Sequence, residues 1–316
     1  VGAVVLSDFQ AQFTSLTFGG LSLGFIYVLI ALGYTMVYGI LGLINFAHGE
    51  MVMIGAMVAT AAISALTATP LPSPIMLLIG ALAGISVCMI LGVGIERIAY
   101  RPLRGAPKLS PLITAIGVSI VLQNTAMMIW GKQYIPFPSV ITLEQFHLFG
   151  ASISNIQIAI MLVSCITMFL LYFLVHKTKI GIAMRATASS IEIAQLMGIH
   201  TNKIISTTFL IGSALAAIAG LMIGAYYGII HYYMGFMLGL KAFTAAVLGG
   251  IGNLFGAMLG GLLLGIIESM AAGYIGTITH GFLGSHYQDI FAFIVLILVL
   301  MFRPSGLLGA NHHEKV

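Results

Sequence analysis

Four ionisable side chains stand inside otherwise apolar runs of this sequence: His48, Glu50, Lys241 and Glu268. A charge at bilayer depth is costly, so such residues face a bundle interior or a water-filled path, where they pair with one another or handle a solute. Asn45, His48 and Gly49 follow i, i+3, i+4 spacing and share one face of a regular helix. Glu50 lies about 200° round from His48 at 3.6 residues per turn, so the two cannot line one stripe. Glu268 continues the face of Gly261 and Gly265 into the bundle, where pairing with Lys241 offsets part of the burial cost. With Thr244, these residues form an intramembrane polar set: Asn45, His48, Glu50, Lys241, Thr244 and Glu268. Two readings of it are open, lining a solute path or holding neighbouring helices together. The chemistry of soluble enzymes is missing: there is no GxxxxGK[ST] phosphate loop, no HExxH and no Ser/His/Asp arrangement. Cys88 and Cys165 sit in separate apolar runs without CxxC spacing and read as small hydrophobes.

The elements that position these side chains belong to a membrane. Of the 316 residues 60% are hydrophobic and 6% charged, with a mean hydropathy of +1.11. A soluble domain carries about 25% charged residues. Twelve basic and eight acidic side chains cannot coat a water-soluble globule of this length, which excludes soluble-enzyme classes. The apolar runs are long and unbroken rather than alternating, which selects helices over a β-barrel. Spans are expected near 16–38, 43–66, 74–95, 111–130, 155–175 and 205–228, then a Gly-rich stretch 235–272 and a last span ending at Phe302. The expected fold is all-α, a polytopic bundle of eight or nine spans forming a single domain over residues 1–316. The segment 235–250 is short for a crossing and reads as broken or re-entrant. The last run from Ile290 covers only about 20 Å at 1.5 Å per residue.

Basic residues orient the bundle. Arg97, Arg101, Arg104 and Lys108 follow the third span, and Lys177, Lys179, Arg185 and Lys203 fall within 176–204, whereas the loops 67–73 and 131–154 hold only Lys132. The positive-inside rule then places loops 96–110 and 176–204 and the C-terminus in the cytoplasm. Residues 39–50 fall toward the cytoplasmic end, and no secretory leader is expected at the start of the chain. Small-xxx-small pairs recur at Gly20/Gly24, Gly80/Gly84, Gly220/Gly224/Gly228, Gly235/Gly239, Gly256/Gly260 and Gly261/Gly265. Such spacing lets helix backbones approach closely.

Between the fifth and sixth spans lies a segment unlike the rest, Gly181 to Ile199. Ser189 and Glu192 have the spacing of a capping box. Gly198 suits a left-handed helix end. Ile193, Leu196 and Met197 fall on one apolar stripe of a helix of about nine residues. So short a helix is marginal alone in water, and its stripe must bury against the protein's own surface or a partner's groove.

Here the sequence resembles a known family. The pattern Gly181-x-Ala183-x-Arg185-Ala186, then Glu192, then Ala194 followed by Gly198-Ile199, is similar to the coupling region of permeases in branched-chain amino-acid ABC importers. Three further segments resemble the H-type subunit of that family: Ala31 to Ile40 running into Asn45-Phe46-Ala47-His48-Gly49-Glu50, Ile95 to Arg104, and Lys241 to Gly252. The resemblance implies an ABC importer permease fold in the bacterial inner membrane and import of leucine, isoleucine or valine. It implies as partners a second, nonidentical M-type permease subunit, two cytoplasmic ATP-binding subunits and a periplasmic amino-acid-binding protein. No nucleic acid is involved. It also implies that this chain binds no cofactor, ATP and magnesium belonging to the ATPases. A coupling segment at 181–200 would meet those ATPases through Arg185, Ala186, Ser189, Glu192, Ile193, Leu196, Met197 and Gly198. Sister importers of urea or short amides, and a stand-alone secondary transporter or channel, are the competing readings.

Overall fold

The computed structural model describes residues 2–107, 109–148, 151–278, 288–303 and 305–309. It is a helical bundle, with seven helices among the described residues long and apolar enough to cross a membrane and two shorter apolar ones, Met234–Gly249 and Asp289–Phe302. In chain order the helices are α1 (Gly2–Leu41), α2 (His48–Leu66), α3 (Ser73–Ile95), α4 (Leu109–Trp130), α5 (Asn155–Lys177), α6 (Lys179–Ser189), α7 (Ile191–Leu196), α8 (Thr201–Tyr227), α9 (Met234–Gly249), α10 (Leu254–Ile278) and α11 (Gln288–Phe302). A π-turn at Glu96–Tyr100 and a 3-10 turn at Arg101–Leu103 extend α3. The ends of α1, α3, α5 and α9 and the starts of α4 and α8 share what we term the basic end of the bundle.

Helix α1 is the axis of the core: every residue from Ile26 to Leu32 is fully buried. Its main neighbour is α10, followed by α8, α9 and α5. The glycine pairs explain how these backbones come so close. A Cβ added at Gly20 would fall 2.8 Å from the Ile266 Cα, one at Gly24 2.9 Å from the Leu262 Cα, and one at Gly261 2.8 Å from the Val28 amide nitrogen. No side chain fits at those separations, so glycine is required there by the contact and not by chain flexibility. The other pairs work alike: Gly84 faces Gly55, Gly239 faces Gly49, and Gly256 and Gly260 face Gly249 and Ala245. Gly228 departs from its expected place in such a seam, because it lies past the end of α8 in the left-handed region at φ +70°.

At the end opposite the basic one, two small antiparallel pairs fall in the loops before α5 and after α8. β1 (Ile135–Pro136) pairs with β4 (Ile229–Ile230), with Ile135 opposite Ile230. β2 (Gln145–Leu148) pairs with β3 (Ala151–Ser154). Ser154 then caps α5 through a capping box with Gln157.

The second expected span, 43–66, is corrected. Gly42 at φ +63° ends α1, and residues 42–47 run without helix, so α2 begins only at His48. The chain climbs back along α1 over these residues, and the His48 ring lies directly against Gly33. Gly33 is about 12 Å from the end of α1 along its axis, at 1.5 Å per residue.

Candidate functional site

Helices α6 and α7 form the segment between the fifth and sixth crossings, and their caps differ from the expected ones. Thr178 Oγ1 accepts from the Gly181 amide and starts α6. Ser189 is the last residue of α6, and Ser190 is the cap of α7, its Oγ accepting from the Ile193 amide at 3.3 Å. The capping box between Ser189 and Glu192 is therefore not formed. Moving the cap one residue on puts Ile193 at the position where the box needs Glu or Gln. The helix that follows has six residues instead of about nine. Its other end is as expected: Gly198 is left-handed at φ +81°, its amide donates to the Gln195 carbonyl, and the Ile199 amide donates to that of Ala194. This pair of bonds closes the helix at a fixed angle. The apolar stripe does not fold back on the protein: Ile193, Leu196 and Met197 are 63%, 86% and 78% exposed. Only Ala194 of α7 is buried. Arg185 and Glu192 are exposed, and Ala186 is half-buried.

Gln195 of α7 donates to Thr201 Oγ1 at the start of α8, and a separate polar cluster ties that end of α8 to the π-turn after α3. Glu96, buried in the π-turn, is paired with Arg104 and accepts from Ser206 Oγ at 2.6 Å. Arg104 also reaches Asn202 on α8. Burial draws the Arg104 guanidinium below its ordinary pKa, although Glu96 pulls the other way.

The intramembrane polar set splits into separate groups. Lys241 on α9 pairs with Glu268 on α10 at 2.6 Å, the predicted contact, and with Asp289 on α11 at 2.6 Å. The other Glu268 oxygen accepts from Tyr27 of α1 at 2.8 Å. Tyr27 and Asp289 join this cluster from outside the polar set that the sequence singles out. Asp289 is the one acidic residue entering the last apolar run, which was the available signal. Thr244 is buried and donates to the Leu240 carbonyl of its own helix at 3.0 Å.

Asn45 does not share a helix face with His48, since it precedes α2. Its Oδ1 accepts from Tyr100 Oη at 2.8 Å and from the Ala47 amide, pinning the non-helical turn. His48 is enclosed by α1 and α8, with Tyr34 edge-on at 4.8 Å between ring centroids. Glu50 points away from it, toward α4, where Oε1 accepts from Ser119 at 2.9 Å and Gln123 at 2.7 Å. Ser119 and Gln123 lie near the middle of α4, so Glu50 stands at mid-bundle depth, not toward the basic end as a span from residue 43 places it. Gly235, in the first turn of α9, approaches so closely that a Cβ there would fall 2.6 Å from Glu50 Oε2. That oxygen is buried without a hydrogen-bond partner, and Glu50 has no ion-pair partner among the described residues.

The family pattern described as branched-chain amino acid transport system / permease component matches residues 16–300 of this sequence. The chain belongs to that permease family. It is 47% identical to the high-affinity branched-chain amino acid transport system permease protein BraD of Pseudomonas aeruginosa, over 94% of this chain and 96% of that one. It is 44% identical to the corresponding protein LivH of Escherichia coli K12, over 98% of this chain and 100% of that one. A probable LivH of Methanocaldococcus jannaschii is 29% identical over 90% and 89%. Among solved structures, PsaBC from Streptococcus pneumoniae in complex with Fab matches at TM-score 0.45 and 13% identity, covering 95% of this chain and 92% of that one. The permease is thus a multi-pass membrane component of an ABC import system, which operates with partner components.

Proposed function

We propose that this permease is one of two nonidentical membrane subunits that import leucine, isoleucine or valine, powered by two ATP-binding subunits docked at its basic end. The basic end faces the cytoplasm, as does the C-terminus. The second, M-type permease supplies the other half of the pathway, and a periplasmic binding protein delivers the amino acid. ATP and magnesium are held by the ATPases, and this chain holds no cofactor. The observation that carries the coupling reading is the open stripe of α7, whose three large apolar residues stand in solvent on a helix capped at both ends. A stripe left uncovered by its own chain fits a groove in another. ATP-driven closure of the ATPases pulls on α6 and α7, biasing the bundle between outward- and inward-open states through contacts that differ in the two.

Reconstituted vesicles holding both permeases and the ATPases should take up leucine only with ATP and binding protein present. Uptake by the permeases alone on an ion gradient would establish the secondary-transporter reading instead. Uptake of urea or a short amide in place of leucine would move the chain to a sister importer. Leu196→Ala with Glu192→Ala, both on α7, should lower ATP-coupled uptake while the complex still inserts. Wild-type rates from that double variant would remove the coupling role.

A further inference from the structure

A cavity of about 1110 Å³ opens at the basic end between α1, α6, the α9–α10 turn and α11. Met36 and Phe243 are among its apolar lining residues, and Arg185 stands at its exposed side. Among the described residues no Asp or Glu lines it. Several polar features are left without partners there among the described residues, and three bear on a solute. Thr35 is 1% exposed, lines the cavity, and its Oγ1 has no hydrogen-bond partner. Arg185 makes no ion pair or hydrogen bond among the described residues. The third is the end of α1. A helix leaves its last four carbonyls without intrahelical donors, and they carry the negative end of the helix dipole. At α1 the Tyr38 carbonyl accepts from the Gly42 amide at 2.7 Å, while those of Gly39, Ile40 and Leu41 receive no donor among the described residues. The same accounting closes at α9: Ala246 and Val247 accept from Gly250, Leu248 from Leu307, and Gly249 from Leu308. Both helix ends border the cavity, and of the two α1 is the open one; α6 also ends at the cavity, with no donor to the Thr187, Ala188 and Ser189 carbonyls among the described residues.

We propose that this cavity is the last station of the imported amino acid before release. Its ammonium group is taken by the free carbonyls of α1 and the Thr35 hydroxyl, its carboxylate by Arg185, and its aliphatic side chain by Met36 and Phe243. A chamber of mixed lining, with apolar side chains, uncharged acceptors and Arg185 as its one Lys or Arg among the described residues, fits a zwitterion with a hydrocarbon side chain. It suits an acidic or basic amino acid poorly. Acceptors without full charges also suit an exit, where binding must be weak enough to let go. The proposal rests on the import reading above.

The test places a thiol on the cavity wall away from the coupling segment: Leu300→Cys in a chain carrying Cys165→Ser, the remaining Cys88 being buried. In the full complex in lipid nanodiscs, millimolar leucine should slow reaction with a water-soluble methanethiosulfonate at least fivefold, and arginine should not. After modification with a bulky thiol reagent, leucine uptake in vesicles should fall at least tenfold from its value before modification, while ATP hydrolysis continues within twofold. Unchanged labelling, alongside normal leucine uptake by the unmodified complex, would mean a water-filled recess only and overturn the proposal. An unmodified complex that imports no leucine would instead sink the import reading on which it rests. Should Leu300→Cys fail to assemble, Ser305→Cys places the thiol on the same wall.

Discussion

Glu268 and Glu50 are both buried carboxylates at mid-bundle depth, yet they are held in opposite ways. Glu268 has a cation, Lys241, and a phenol, Tyr27, so its charge is matched and both oxygens are used. Glu50 has two neutral donors on one oxygen and nothing on the other. The first is a clasp among α1, α9, α10 and α11. The second lies at a joint, where α2 and α9 both begin and where α4 is the outer neighbour. Burial alone therefore does not distinguish the two. The partner inventory does: Glu268 spends both oxygens on neighbouring helices, whereas Glu50 keeps one oxygen with no donor among the described residues.

The largest effect should come from breaking the clasp. Lys241→Met leaves Glu268 and Asp289 with no cation, and removing one member of a buried pair costs about 3–5 kcal/mol. Thermal unfolding of the detergent-solubilised complex should show a large drop in midpoint. Lys241→Met with Glu268→Leu should recover part of it, since the more deeply buried of the two orphaned carboxylates is gone and Asp289 is a third exposed. No drop for the single variant would mean that the clasp contributes nothing to stability. Glu50→Gln should behave differently. The amide keeps an acceptor for Ser119 and Gln123 and removes a charge with no ion-pair partner among the described residues. Stability should stay within about 1 kcal/mol of wild type or rise slightly, because unpaired buried charge is itself unfavourable. A loss as large as that of Lys241→Met would erase the contrast and show that Glu50 has a cation partner.

Much of this was legible in the sequence because helices are periodic. Gly261, Gly265 and Glu268 fall on one stripe by spacing alone, and the structure turns that stripe onto α1, with Glu268 meeting Lys241 as expected. The same rule misplaced Asn45, for spacing carries over only while the helix continues, and Gly42 stops it. Tyr27 and Asp289 escaped because their contacts join helices far apart in sequence, and no local pattern encodes such a meeting. The α7 cap was misassigned by one residue because Ser189 and Ser190 are adjacent and both can cap. The choice was made by α6, which keeps Ser189 as its own last residue. This predicts a separation: Ser190→Ala should cost about 1 kcal/mol of local stability and speed amide exchange over 191–197, whereas Ser189→Ala should do neither. Equal effects from the two would return the cap to the position suggested by the sequence.

The smallest effect asked of the molecule is also the most diagnostic for Glu50. Ser119→Ala removes one neutral donor from a carboxylate that keeps Gln123, so the expected loss is about 0.5–1.5 kcal/mol. In the Glu50→Gln background the same change should cost less, since a hydrogen bond to a neutral amide is weaker than one to a carboxylate. The double-mutant cycle therefore reads the charge state of Glu50 inside the folded permease. A coupling energy near zero would mean that residue 50 is already neutral there, and that the contrast with Glu268 is one of protonation and not of partners.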